Sequence, residues 1–383
     1  MLSKIAFVSP FPIFPATGGN RVRTLSMMKA AADMGHDVHF ILLPSRQLGE
    51  FDRAAHEAAY GSRFHLLRRP AISECRYLAR RAAAKTARKL SGSPFRVSSV
   101  DEIYFEPFTG QIRELDRRER FDVAIVQYVD FTRALEAFSS ALRIVDTHDS
   151  FQGQMAESEE RRGLLRADNV IAIQDAEAGL FREMLGSQAD RVCVISHFIE
   201  TGEPVDTAPC EGATFIGSDF RQNNASLTWF IEQVLPIIRS HEPGFRLHVA
   251  GSVGKAVPDA PGVVKMGRVP RFGDAFVNSP ILVNCITMGT GIKIKLLEAF
   301  GAGLPVVSTA LGVKGIDPGS LKGTVVVEDG NAAHFAEQTL NLFRDPARRA
   351  RMAAENLAIS GSWNALQAGR LASLLAAPAP SSR

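Results

Sequence analysis

Between Pro280 and Thr309 the chain reads as strand, glycine loop, helix, strand, and that order restricts the fold more than anything else in it. Pro280-Ile281-Leu282-Val283-Asn284-Cys285 is a short apolar run of buried-strand type, and Val306-Val307-Ser308-Thr309 is another. Between them Met288-Gly289-Thr290-Gly291 opens a helical passage that ends at Gly301 and Gly303, with Pro305 barring its return. Strands joined through a helix belong to a parallel α/β sheet. Glycines let backbone N–H groups face a ligand closely, and the first turn of a helix carries unpaired N–H groups and partial positive charge that suit a phosphate. The spacing predicts the helix N-terminus at Gly291. Lys293 and Lys295 add full charges beside it, with Lys293 expected to matter more because it is nearer the start. Glu298 follows about one turn further in, where a carboxylate can accept two sugar or ribose hydroxyls. An ordinary βαβ unit with an exposed lysine pair fits the same local pattern equally well.

The same grammar recurs on both sides of this passage. At 383 residues, 45% apolar and 22% charged, the chain has material for two domains with full cores. Lys4-Ile5-Ala6-Phe7-Val8-Ser9 is a strand followed by the Gly18-Gly19 loop and a helix from Arg21 to Met34. Such a loop, between first strand and first helix, is where doubly wound sheets bind ligands, although it lacks the Gly-x-Gly-x-x-Gly of a nicotinamide site. Further strands are expected at 37–43, 121–127, 143–147 and 192–195, with His148 just beyond the end of the 143–147 run. Residues 201–212 hold Gly202, Pro204, Pro209 and Gly212 and have linker composition. A second series then begins at Ala213, with a helix carrying Leu227, Phe230, Ile231, Val234 and Leu235 inward.

Residues 76–96 break the rhythm. Arg76, Arg80, Arg81, Lys85, Arg88, Lys89 and Arg96 have no acid between them, and the interleaved apolar residues make a basic amphipathic helix. It reads either as a solvated face or as an attachment to an anionic membrane surface or anionic acceptor. The net charge of +3 is too small to point to nucleic acid. The four cysteines form no Cys-x-x-Cys pair, no apolar run reaches the roughly 18–20 residues of a membrane span, and the N-terminus enters a strand directly. The expectation is a cytoplasmic protein, peripheral at the inner membrane face if 76–96 binds lipid.

Glu298-Ala299 and Gly303-Leu304-Pro305-Val306-Val307 resemble the donor-binding segment of GT-B glycosyltransferases of the family-4 type, which carry Glu-x7-Glu followed by Ala and a Gly-x-Pro-Val-Val run. Thr290 stands where that motif has its first glutamate. Val145-Asp146-Thr147-His148-Asp149 resembles the segment whose His reaches the donor sugar and phosphate. The Arg221 loop resembles the one that offers Arg and Lys to the diphosphate, with Asn223 or Asn224 in the Lys place.

The resemblance implies two doubly wound Rossmann-like domains with an interdomain cleft: 1–205 on the acceptor side, 206–362 binding the nucleotide sugar, and 363–383 as a helix returning to the first domain plus a disordered tail. It implies catalytic roles for His148, Lys293 and Glu298, and donor binding by Gly18, Gly19, Gly217, Arg221, Thr290, Gly291, Ile292 and Lys295. It further implies a retaining hexosyltransferase without metal or cofactor. A nucleotide-diphosphate sugar would be the co-substrate, and a glycan or lipid-linked molecule of surface-polysaccharide synthesis the acceptor. A sugar-nucleotide 2-epimerase, or an impaired nucleotide-sugar-binding protein, would share the architecture.

Overall fold

A computed structural model describes residues 2–45, 49–289 and 291–376. The chain divides into two compact units, Met1–Ser196 with Gln367–Arg383, and His197–Leu366.

The first unit is built on a seven-stranded parallel sheet. Its strands are β1 (Lys4–Ser9), β2 (Asp37–Leu42), β3 (Phe64–Leu66), β4 (Val123–Gln127), β5 (Leu142–Asp146), β6 (Asn169–Ala172) and β7 (Val192–Val194), in the order β3-β2-β1-β4-β5-β6-β7. Helices α1 (Gly19–Asp33), α2 (Arg53–Tyr60), α3 (Ala71–Ser91), α4 (Pro107–Glu119), α5 (Glu157–Leu164) and α6 (Asp175–Leu185) connect them. The central strands are apolar on both faces because helices cover both. Ile5, Ala6, Phe7 and Val8 of β1 are all fully buried, with Phe7 paired to Phe40 and Ile125 of the flanking strands. Helix α1 ends where the sequence requires. Gly35 adopts φ +91°, its N–H bonds Ala32, and the His36 N–H bonds Ala31, which closes the last turn.

The second unit carries β8 (Gly212–Ile216), β9 (Arg246–Ala250), β10 (Val263–Gly267), β11 (Leu282–Asn284), β12 (Val306–Thr309) and β13 (Thr324–Val327), again parallel, in the order β10-β9-β8-β11-β12-β13. Its helices are α7 (Arg221–Trp229), α8 (Leu235–His241), α9 (Ile294–Gly301), α10 (Ala332–Arg344) and the first part of α11 (Pro346–Leu375), whose residues from Gln367 onward belong to the first unit. Leu227, Phe230, Ile231, Val234 and Leu235 are all buried in its core, as their spacing predicts. In both sheets the strand order reverses direction once, between β1 and β4 and between β8 and β11. Such reversals open a crevice at the carboxyl ends of the strands.

Three local expectations differ from the structure. The last helix is one 30-residue element from Pro346, without a break before Trp363. Ala376 is an exposed turn residue at its end, and the rest of the tail lies outside the described residues. The stretch read as a linker is held down: Arg349, 2% exposed, donates to the Thr207 and Ala208 carbonyls, and the Val205 N–H bonds the Ala302 carbonyl. The break between units falls upstream, after Ser196. Residues beyond it are fixed in the second unit, where the Asn364 amide bonds both the N–H and the carbonyl of Ile199 at 2.8 Å and the Trp363 indole bonds the His197 carbonyl.

Candidate active site

In the second unit, the crevice between β8 and β11 gathers most of the residues singled out above. Gly217 follows β8, and a Cβ there would press on the Asn223 side chain. Arg221 is the first residue of α7, exposed, and paired with no acid among the described residues. The loop after β11 is tied to α7 by the Thr287 N–H bond to Ser226 Oγ. It turns through Gly289 (φ +113°) and Gly291 (φ +73°), backbone angles that favour glycine. Ile292 is buried. Thr290 lies outside the described residues.

Helix α9 begins at Ile294, not at Gly291. Lys293 is the residue before the helix, and its ammonium bends back to the Gly291 carbonyl at 2.7 Å. Lys295 is half-buried. Its Nζ sits 4.4 Å from the Phe215 ring centroid and 3.0 Å from Asn223 Oδ1, and Asn223 is itself held by the Ser218 carbonyl at 3.0 Å. Asn223 therefore aims a lysine from another element. Burial pulls the Lys295 pKa down to about 8; the Cys285 thiol opposes this and Lys293 adds to it.

Glu298 is 8% exposed and shares one carboxylate oxygen with His197 Nε2 in a close pair. His197 is fully buried. Gly301, on the same helix, is glycine because a Cβ would collide with the Glu200 carbonyl as the 197–200 segment crosses. Gly303 (φ +64°) then ends α9 through N–H bonds from Gly303 to Phe300 and from Leu304 to Ala299.

In the first unit the crevice lies between β1 and β4. Gly18 precedes α1 in extended conformation, and Gly19 is its first residue. His148 follows β5 with φ +60°, an uncommon angle for a residue with a side chain. Its ring stacks on Tyr128 at 4.5 Å with Phe11 edge-on at 5.8 Å, and 6% of the side chain is exposed. Nε2 donates to Gln127 Oε1 at 2.7 Å, and Nδ1 makes no hydrogen bond to the described residues. Burial lowers the His148 pKa to about 4 against the pull of Asp146, with Arg23 adding to the fall. The imidazole is neutral at pH 7, with Nδ1 as an acceptor.

Sequence reasoning missed the frame around it. Arg23, 1% exposed, grips the fully buried Asp146 through Nε and Nη2, the latter at 2.7 Å, and also bonds the Ile195 carbonyl. Gln127 Oε1 also accepts from Thr24. Arg23 Nη1 and Gln127 Nε2 are buried donors with no hydrogen-bond partner among the described residues. The one available signal was a charged residue on the inner face of α1, four positions past Gly19.

Comparison with known proteins agrees with this geometry. Residues 18–197 match the "Glycosyl transferase 4-like domain" family model and residues 211–345 match "Glycosyl transferases group 1". The chain belongs to the group 1, family-4-like glycosyltransferases. A relative described as an "Uncharacterized 44.6 kDa protein in cps region" of Klebsiella pneumoniae is 21% identical over 89% of this chain and 91% of its own. Anabaena HepE in complex with UDP and glucose superposes with TM-score 0.63 at 13% identity, covering 97% of this chain and 100% of its own. S. aureus TarM gives 0.68 at 10% identity (98% and 99% covered), and WaaG, described as involved in lipopolysaccharide biosynthesis, gives 0.60 at 13% (97% and 100% covered). The glycosyltransferase thus has the GT-B fold of two doubly wound α/β domains.

Proposed function

We propose that this glycosyltransferase moves a hexose from a nucleotide-diphosphate sugar to a glycan or lipid-linked acceptor in surface-polysaccharide synthesis. The proposed reaction retains anomeric configuration and uses neither a cofactor nor a metal on the diphosphate. The observation that carries it is the meeting of Gly217, Arg221, Lys295 and the Gly289–Gly291 turns at the second unit's crevice. As the bond from the sugar carbon to the diphosphate oxygen breaks, negative charge grows on the leaving group. Two cations and preset backbone N–H groups stabilise it there without reorganising. Lys293, bent onto its own loop, is proposed to hold the turn in shape. Glu298, held by His197, is the proposed acceptor of donor hydroxyls, and His148 offers Nδ1 to a hydroxyl in the first unit's crevice.

The relative from a cps region supports a polysaccharide setting, and the neighbours solved with UDP support a uridine nucleotide as the first donor to try. We further propose cytoplasmic action at an anionic membrane surface. Arg76, Lys85 and Lys89 of α3 are exposed and face no acid among the described residues, whereas Arg88 pairs with Glu102 and Arg80 donates to the Asp101 and Tyr104 carbonyls. The available charge is therefore smaller than the sequence count of 76–96 implies. No helix among the described residues is long and apolar enough to cross a membrane.

Mass spectrometry of a reaction with UDP-hexoses and candidate acceptors tests the reading. The expected result is an acceptor heavier by one hexose with stoichiometric UDP release. Unchanged mass with a changed sugar would identify an epimerase, and ligand binding without product would identify a binding protein; either rejects the proposal.

A further inference from the structure

A cavity of about 700 Å³ lies in the first unit away from His148, under helix α3. Leu43 and Ser45 bring the carboxyl end of β2 to it, and Phe131 follows β4, so it opens at the ligand-binding end of the sheet. Its walls are Leu43, Leu78, Ile103, Phe108 and Phe131. The volume is within the range of small-molecule sites. Leu78 of α3 is partly buried against the core and forms part of this wall.

Two arginines border the cavity and differ in what they leave available. Arg69 pairs with Glu74 at 2.8 Å, donates to the Pro44 carbonyl and sits 4.1 Å from the Phe105 ring centroid, so it is part of the wall. Arg81 is exposed. It donates to the Tyr77 hydroxyl at 3.4 Å, lies 5.8 Å from the centroid of the same ring, and has no acid partner among the described residues. The lining also holds Ser45, Tyr77 and the head groups of Arg69 and Arg81, so the chamber joins an apolar wall to polar groups. It suits a hydrocarbon chain ending in a phosphate, which guanidinium binds through paired N–H groups.

The outer surface of α3 indicates where such a molecule comes from. Ile72 (79% exposed) and Leu90 (83% exposed) lie eighteen residues apart, five whole turns, and so share one helical face with exposed Ala79 and Ala83 between them. Exposed Arg76 borders that face about 40° round the helix, and exposed Lys89 lies about 100° to its other side. Apolar residues bordered by cations complement the boundary of an anionic bilayer.

We propose that the cavity under α3 binds the phosphate end and first carbons of a lipid-phosphate acceptor drawn from a bilayer, with Arg81 on the phosphate and Leu78, Phe108 and Phe131 around the chain. This rests on the reading of the protein as a transferase with a lipid-linked acceptor.

Titration calorimetry on the full chain with dodecyl phosphate below its micelle concentration tests it, with dodecyl maltoside and inorganic phosphate as comparators. Dodecyl phosphate should bind at least tenfold more tightly than either. Arg81→Gln, a change at an exposed position, should weaken it about tenfold through loss of a charged hydrogen bond. Leu78→Trp, which fills the chamber, should abolish binding in protein that melts as the parent does, while Lys322→Gln, at an exposed position in the second unit, leaves it unchanged. Equal binding of the neutral detergent, or no effect of Arg81→Gln, overturns the proposal. UDP affinity measured on the same samples separates the two ideas. UDP binding without dodecyl phosphate binding sinks only the cavity assignment, and absent UDP binding sinks the donor reading.

Discussion

Replacing Lys295 with Met tests the donor site at its most defined point. With nothing bound, the ammonium over Phe215 is costly to keep charged, as its pKa of about 8 records. Against an ordinary lysine near 10.4, that depression corresponds to about 3 kcal/mol, reduced to about 2 by water on the partly exposed side. The unfolded chain keeps this proton to about pH 10 and the folded one only to about 8. Lys295 therefore favours the unfolded state increasingly as pH falls through that window, and fully below it. Lys295→Met should consequently raise stability at pH 7 by about 2 kcal/mol while weakening nucleoside diphosphate binding about tenfold to hundredfold, the value of a charged hydrogen bond. A bound diphosphate should also restore the lysine's affinity for its proton. Proton uptake on binding should be about 0.1 at pH 7 and approach about 0.9 at pH 9. Calorimetry with UDP in buffers of different ionisation enthalpy reads this directly. Equal uptake at both pH values, or a Lys295→Met protein that binds UDP as the parent does, would refute the placement of the diphosphate against Lys295.

Four further outcomes follow from the same geometry. Lys293→Ala should reduce turnover less than Lys295→Ala, since Lys293 is spent on the Gly291 carbonyl; steady-state kinetics will rank them. Glu298→Gln should weaken donor binding by roughly 1.5–3 kcal/mol with the fold intact, whereas His197→Ala, which strands a buried carboxylate, should lower stability by about 1–3 kcal/mol in denaturant melts. His148 binds its proton less well folded than unfolded, so its neutral form favours the native state above about pH 6.5, and that advantage is lost as pH falls toward about 4. The stability difference between the parent and His148→Gln should therefore shift toward the variant across that interval. Co-sedimentation with anionic vesicles should fall with salt and with Arg76, Lys85 and Lys89 changed to Gln, each cation contributing about 1 kcal/mol near the surface; recovery equal to that with neutral vesicles rejects membrane attachment.

The strands and the two crevices were legible because parallel strands covered on both faces leave unbroken apolar runs, and Val306-Val307 or Ile5 to Val8 admit no other reading. The start of α9 was not. Ile292, Lys293 and Ile294 carry no capping residue, and the glycine turns use backbone angles that composition does not encode. His197 was hidden because its partner, Glu298, is 101 residues away. Arg23 and Asp146 were likewise separated by 123 residues, and each reads alone as an ordinary charged side chain. The cations of α3 were visible as a run, but which of them are consumed depends on Glu102 and on carbonyls of a later loop.

The way residues 197–208 are fastened has a consequence for cutting the protein in two. By composition the place to cut is the glycine- and proline-rich 201–212, but a fragment starting there would lose His197 and the Ile199 backbone. Glu298 would be stranded, and Asn364 would lose both of its backbone bonds. A donor-binding half able to live alone must therefore begin at His197 and keep α11 through Asn364. Proteases given the intact chain should spare Thr207 and Ala208 for as long as Arg349 holds their carbonyls.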